Sequence, residues 1–161
     1  MKIGVISDTH DRLPTFARAI AMFRNFKVDA IFHAGDYIAS FAAQLISPAQ
    51  ISIPVHCIYG DNDPQNQQLK DILPQISPNT LLTQINDKKI IMGHRLENIS
   101  QDHIDNADII ISGHTHQPKH QIKNEKLFLN PGECCGWIND VPTAALIDLE
   151  TLKADIIQIH P

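Results

Sequence analysis

Asp8 and His10 stand one residue apart, directly after the apolar run Ile3-Gly4-Val5-Ile6. A carboxylate oxygen and an imidazole nitrogen together suit a divalent first-row metal such as manganese, iron or zinc. Residues i and i+2 of a strand share a face, so at a strand's end these two side chains can converge on one point. The motif repeats in kind. Asp29 to Ala34 runs into Gly35-Asp36, Val55 to Tyr59 into Gly60-Asp61-Asn62-Asp63, Lys89 to Met92 into Gly93-His94, and Asp108 to Ser112 into Gly113-His114-Thr115-His116. Glycine at each later junction lets the backbone turn tightly or pass close to a ligand. Short strands that deliver Asp, His and Asn at their C-terminal ends describe one site at one edge of a sheet, where ligands of α/β sheets bind.

The elements that must position these residues alternate in the first half of the chain. Leu13 to Phe26 reads as a helix: Pro14 sits in its first turn, where its missing N–H does no harm, and Phe16, Ala19, Ile20 and Phe23 recur at helical spacing. Ile38 to Ile46 reads as a second apolar helix stopped by Ser47-Pro48, and Asn66 to Leu73 as a short third one before Pro74. Helices between the first strands imply crossovers and a parallel core. The second half reads as hairpins: Thr80 to Ile85 with Lys88 to Met92 around Asn86-Asp87, Lys119 to Lys123 with Lys126 to Leu129 around Asn124-Glu125, and Ala144 to Leu149 with Ala154 to Ile159 around Glu150-Thr151. Residues 97–107 read as a short, weakly periodic helix. The expectation is a single α/β domain over residues 1–161, a two-sheet β-sandwich core flanked by helices.

The order Asp-x-His, Gly-Asp, Gly-Asp-Asn-Asp, Gly-His and Gly-His-x-His resembles the calcineurin-like metallophosphoesterases, in particular their small bacterial and archaeal phosphodiesterase branch. Asn130-Pro131-Gly132 is similar to a segment of that branch. The resemblance spans residues 3 to about 148. It implies a pair of divalent ions, manganese first, with zinc, iron or nickel as alternatives. It implies that Asp36 bridges them, that Asp8, His10 and His116 complete one site, and that Asp61 and His114 belong to the other. The reaction implied is hydrolysis of a phosphodiester or small phosphomonoester by in-line attack of a metal-bridging hydroxide.

Two positions depart from the family. Gly60 is followed by Asp61 where most members have Asn, which adds one negative charge to the site. The family's His-Gly lines up with Met92-Gly93, and a thioether is a poor ligand for manganese or zinc. Met92 therefore reads as a core filler. If it faces the second site instead, a histidine there should tighten the second ion. His94 lies two residues on, about 6.6 Å along an extended strand. It reads as a contact to substrate phosphate or an acid, with ligation of the second ion or a bland role left open. Larger phosphatases of this superfamily place a His where Asn62 stands. Asn cannot donate a proton as a general acid, which favours esters with acidic leaving groups. Asp63 reads as a turn cap, His33 as a core histidine or a support for the site, and Cys134-Cys135 as a tight turn.

Composition narrows the partners. The net charge is −5 with His neutral, and no run of Lys or Arg exceeds Lys88-Lys89. A dedicated nucleic-acid surface needs a basic face, so a small phosphate ester is the expected partner. A homo-oligomer is left open. Nothing in the chain approaches a membrane span or a signal-peptide core, and the cysteines (57, 134 and 135) make no disulfide framework, so the expected compartment is the cytoplasm. The competing expectation is a protein-binding scaffold of the same fold with a partly degraded metal site, as in a retromer subunit.

Overall fold

The computed structural model describes residues 1–64 and 67–160. Two five-stranded sheets pack face to face. The first has the order β10-β9-β1-β2-β3 and the second β4-β5-β6-β8-β7. β1 (Lys2–Ile6), β2 (Ala30–His33) and β3 (Val55–Cys57) run parallel, and β9 (Thr143–Asp148) and β10 (Lys153–Gln158) extend that sheet antiparallel. In the second sheet β5 (Lys88–Gly93), β6 (Ile109–Ile111) and β8 (Lys126–Asn130) are parallel, flanked by β4 (Thr80–Ile85) and β7 (Lys119–Lys123).

Side-chain alternation explains why the sheets meet. Ile3, Val5, Ala30 and Phe32 from one sheet interleave with Ile90, Met92, Ile109, Ile111, Leu127 and Leu129 from the other. The opposite face of the first sheet, with Ile6 and Ile31, is covered by α1 (Leu13–Asn25) through Phe16, Ala19 and Phe23. Gly4 lets α1 approach, because a Cβ there would overlap the Phe23 ring. The outer face of the second sheet carries a smaller cluster of Ile91, Ile99, Ala107 and Ile110.

Three expected helices change. The stretch from Ile38 becomes a 3-10 helix over Ser40–Ile46. Ile38 is left-handed at φ 78°, and the carboxylate of Asp63 accepts the backbone N–H groups of Tyr37 and Ile38, which holds that stretch as a loop. α2 spans Gln67–Ile72; the expected start at Asn66 lies outside the described residues. Residues 97–107 split into a 3-10 turn (Leu96–Asn98) and α3 (Gln101–Asp105), which Ser100 caps by accepting from the His103 N–H. The three hairpins form as expected. Asn86, Asn124 and Glu125 take the positive φ that such tight turns require.

Candidate metal centre

The chemistry-bearing residues collect at the C-terminal edges of both sheets, not of one. Asp8 and His10 follow β1, Asp36 follows β2 and Asp61 follows β3. From the facing sheet, His94 follows β5, and His114 and His116 follow β6. Strand alternation does not place the first pair, because β1 stops at Ile6. Asp8 and His10 are left-handed at φ 53° and 39°, as are Asp36, His114 and His116 at 62°, 65° and 60°. Non-glycine residues in that region cost energy and gather at functional sites, where surrounding structure holds them.

The surrounding structure here is a set of hydrogen bonds. The Asp8 and Thr9 N–H groups donate to the Gly35 and Asp36 carbonyls, tying the β1 loop to the β2 loop. Asp63 Oδ2 accepts from the N–H groups of Asp36 and Gly60, joining the β2 and β3 loops. Asp8 Oδ2 accepts from the His114 N–H and so reaches across to the second sheet. Gly60 and Gly113 are required by close approach: a Cβ would overlap Asp36 at the first and Ser7 at the second.

Two triads result. Asp8, His10 and His116 form one, and Asp61, His94 and His114 the other; within each, the donor atoms lie within 4.8 Å of one another. Asp36 stands between them, its Oδ2 3.5 Å from His10 Nε2 and 3.5 Å from His94 Nε2. In the first triad Asp8 Oδ1 is 3.7 Å from His10 Nε2 and 3.4 Å from His116 Nε2. In the second, Asp61 Oδ2 is 3.2 Å from His114 Nδ1 and 3.9 Å from His94 Nε2.

The donor set fits divalent ions. Asp8 Oδ1, His10 Nε2 and His94 Nε2 are buried without hydrogen-bond partners. An unpaired buried polar atom costs about 1–3 kcal/mol, so their convergence calls for a ligand. The other ring nitrogens are fixed: His94 Nδ1 bonds the Ala34 carbonyl at 2.7 Å, and His116 Nδ1 bonds Glu133 Oε2 at 2.8 Å. Such partners set the tautomer and leave Nε2 free for a metal. Burial would lower the basicity of His94, but Asp36 outweighs it and the pKa rises to about 9. His10 is raised too, first by the neighbouring Asp8 carboxylate. Burial would raise the Asp36 carboxyl, but His94 and Asn62 bring it well below the ordinary carboxylate range.

The structure separates the remaining sequence expectations. Met92 is fully buried in the layer between the sheets. The alignment that placed a ligand position there is corrected by register. Met92 lies inside the apolar layer, whereas His94 follows the end of β5 and sits at the rim beside Asp36. The two-residue step past Met92 ends with His94 Nε2 3.5 Å from Asp36 Oδ2. Asn62 reaches Asp36 with both its backbone N–H (3.0 Å) and its side-chain amide (2.8 Å). Asp63 is more than a turn cap, since its carboxylate organises both the Asp36 and Gly60 loops. His33 is buried, stacked on Tyr37 at 3.8 Å, accepting from the Gly35 N–H and bonded to Thr9 Oγ1. Burial lowers its pKa to about 3.

Sequence reasoning missed Glu133. It is fully buried and accepts from the N–H groups of Trp137, Ile138 and Asn139 as well as bonding His116. Burial would raise its carboxyl, but these bonds bring it down to about 2. An acid between Gly132 and two cysteines was the available signal. Arg95 was missed as well, and its Nε lies 2.6 Å from Asp61 Oδ2. Beside the second triad a cavity of about 480 Å3 opens between Tyr59, Asn79, His94 and Asn98, within the range of small-molecule sites.

Residues 1–152 match the calcineurin-like phosphoesterase superfamily domain, and the chain belongs to that family. Its fold and its converging Asp and His donors are those of a metal-dependent phosphoesterase. A phosphodiesterase of Methanocaldococcus jannaschii is 32% identical over 158 residues, covering 93% of this chain and 94% of the relative. The solved structure of an archaeal phosphodiesterase superposes with a TM-score of 0.86 at 30% identity, over 98% of this chain and 99% of that one. Vps29 of Entamoeba histolytica, solved with zinc, shares the fold at a TM-score of 0.69 and 18% identity, over 99% of this chain and 100% of that one.

Proposed function

We propose that this phosphoesterase hydrolyses phosphodiesters of small molecules with two divalent ions, manganese foremost, held at the two triads. The position of Asp36 Oδ2, 3.5 Å from a nitrogen of each triad, carries the reading. Bound there, such ions would supply Lewis acidity to the phosphoryl group and activate a water for in-line attack. Asp8, His10 and His116 would hold one ion, and Asp61, His94 and His114 the other, with Asp36 shared. His94 is thereby assigned to the second ion through Nε2, because Nδ1 is taken by Ala34. Asn62 positions Asp36 and has no proton to give, so leaving groups that depart without a strong acid are favoured.

The acidic chain and the small cavity support a small ester over a polymer. Free, buried cysteines support the cytoplasm as its compartment. Among the described residues no helix is long and apolar enough to cross a membrane. The scaffold alternative is less well supported, since a pure scaffold has no use for six converging donors around a shared carboxylate. The test is hydrolysis of bis(p-nitrophenyl) phosphate by metal-stripped protein with and without added Mn2+. Activity should depend on the metal. Full activity in excess EDTA, with stripping verified by elemental analysis, would refute the proposal.

A further inference from the structure

Asp61 is the donor that departs from the family, and it is not alone. Arg95, the residue directly after His94, places Nε 2.6 Å from Asp61 Oδ2, the same oxygen that faces His114 Nδ1 and His94 Nε2. The far end of the guanidinium is steadied by Glu97, with Nη1 3.5 Å from Oε1. We infer that Arg95 is a positioning residue of the second triad, holding the Asp61 carboxylate toward His94 and His114. The inference rests on the two-ion reading above.

The physical reasoning is local. Asp61 lies on an exposed turn, where its carboxylate would otherwise rotate freely. A carboxylate oxygen has two lone pairs, so one can accept the Arg95 N–H while the other faces an ion. Arg stays charged at any working pH and presents its donors in a rigid fork, which suits it to fixing a carboxylate. Asp8, Asp36 and Asp61 place three carboxylates around the two triads. Arg95 offsets the Asp61 charge only in part, because its guanidinium is shared with Glu97. Half-exposed ion pairs add little to folding stability, so the effect of Arg95 should appear in ion binding and leave thermal unfolding nearly unchanged.

The experiment is titration of Mn2+ into metal-free wild type, Arg95→Gln, Asp61→Asn and the double variant, with free Mn2+ read by electron paramagnetic resonance. Arg95→Gln should weaken the second ion by about 10–100-fold, the usual cost of losing a ligand's outer partner, and leave the first ion unchanged. Arg95→Lys, which keeps the charge without the fork, should recover part of the loss. In the Asp61→Asn background, removing Arg95 should change second-ion affinity by less than about twofold. Wild-type affinity in Arg95→Gln would overturn the inference, as would an equal loss in the Asp61→Asn background, which would show that Arg95 acts without Asp61. A wild type that binds a single ion would overturn the two-ion reading itself, and that failure is visible before any variant is made.

Discussion

Asn62 holds Asp36 at both carboxylate oxygens, its backbone N–H on Oδ1 at 3.0 Å and its side-chain amide on Oδ2 at 2.8 Å. The amide bond helps to keep the Asp36 carboxyl below the ordinary range. Asn62→Ala is expected to weaken Mn2+ binding by about 10–100-fold, read by titration of the metal-free protein. Unchanged affinity would show that the amide does not hold the carboxylate.

Asp36 itself should be far less tolerant. Asp36→Asn removes the charge between the triads and should cut kcat/KM by at least ~100-fold, or about 2.7 kcal/mol of transition-state stabilisation. Metal content measured by elemental analysis should fall in parallel. A rate within about threefold of wild type, under ~0.7 kcal/mol, would place the shared ligand elsewhere.

Met92 and His94 give opposite expectations. His94→Ala should weaken the second ion while the first persists, read by Mn2+ titration. Met92→His should not tighten any ion, because the side chain lies in the apolar layer between the sheets. It buries an unpaired polar ring there at a cost of about 1–3 kcal/mol, and at roughly 2–4 °C per kcal/mol the melting temperature should drop by several degrees. A Met92→His protein that melts like wild type and binds the second ion more tightly would refute this placement.

How far the sequence spoke is clearest on this strand. The apolar runs, the glycine punctuation and the hairpin turns made the sandwich legible, because alternation and turn chemistry are local. Asp8, Asp36, His114 and His116 were legible for the same reason, each following its strand closely. The place of His94 was left open because motif order carries no register: the depth of Met92 between the two sheets shows that the chain reaches the rim only after β5 ends. Glu133 and Arg95 were hidden because their meaning lies in contacts of 17 and 34 residues' separation, across loops of no regular period. The left-handed backbone at Asp8 and His10 has no signature in residue type of the kind glycine supplies.

His33 supplies a prediction in acid. Burial lowers its pKa to about 3 from the ordinary 6.5. A histidine held neutral contributes stability above its unfolded value, and that contribution is lost as pH falls toward the folded one. Unfolding free energy should therefore decline between about pH 6.5 and 3, with a slope approaching about 1.4 kcal/mol per pH unit from this group. His33→Gln should be less stable at pH 7 yet show a flatter decline, measured by urea unfolding across that range. Parallel curves for the two proteins would show that His33 does not drive the acid loss.

The two triads draw their donors from both sheets: Asp8 and His10 against His116, and Asp61 against His94 and His114. Neither half of the chain holds a complete set, so a nascent polypeptide cannot capture an ion in its final geometry until residues beyond 116 have emerged and the sheets have docked. Ion occupancy would then mark finished folding, and the free energy of binding would add by mass action to the native state alone. Bound metal would then lower the share of molecules open enough to be cut by a protease, quite apart from its part in turnover.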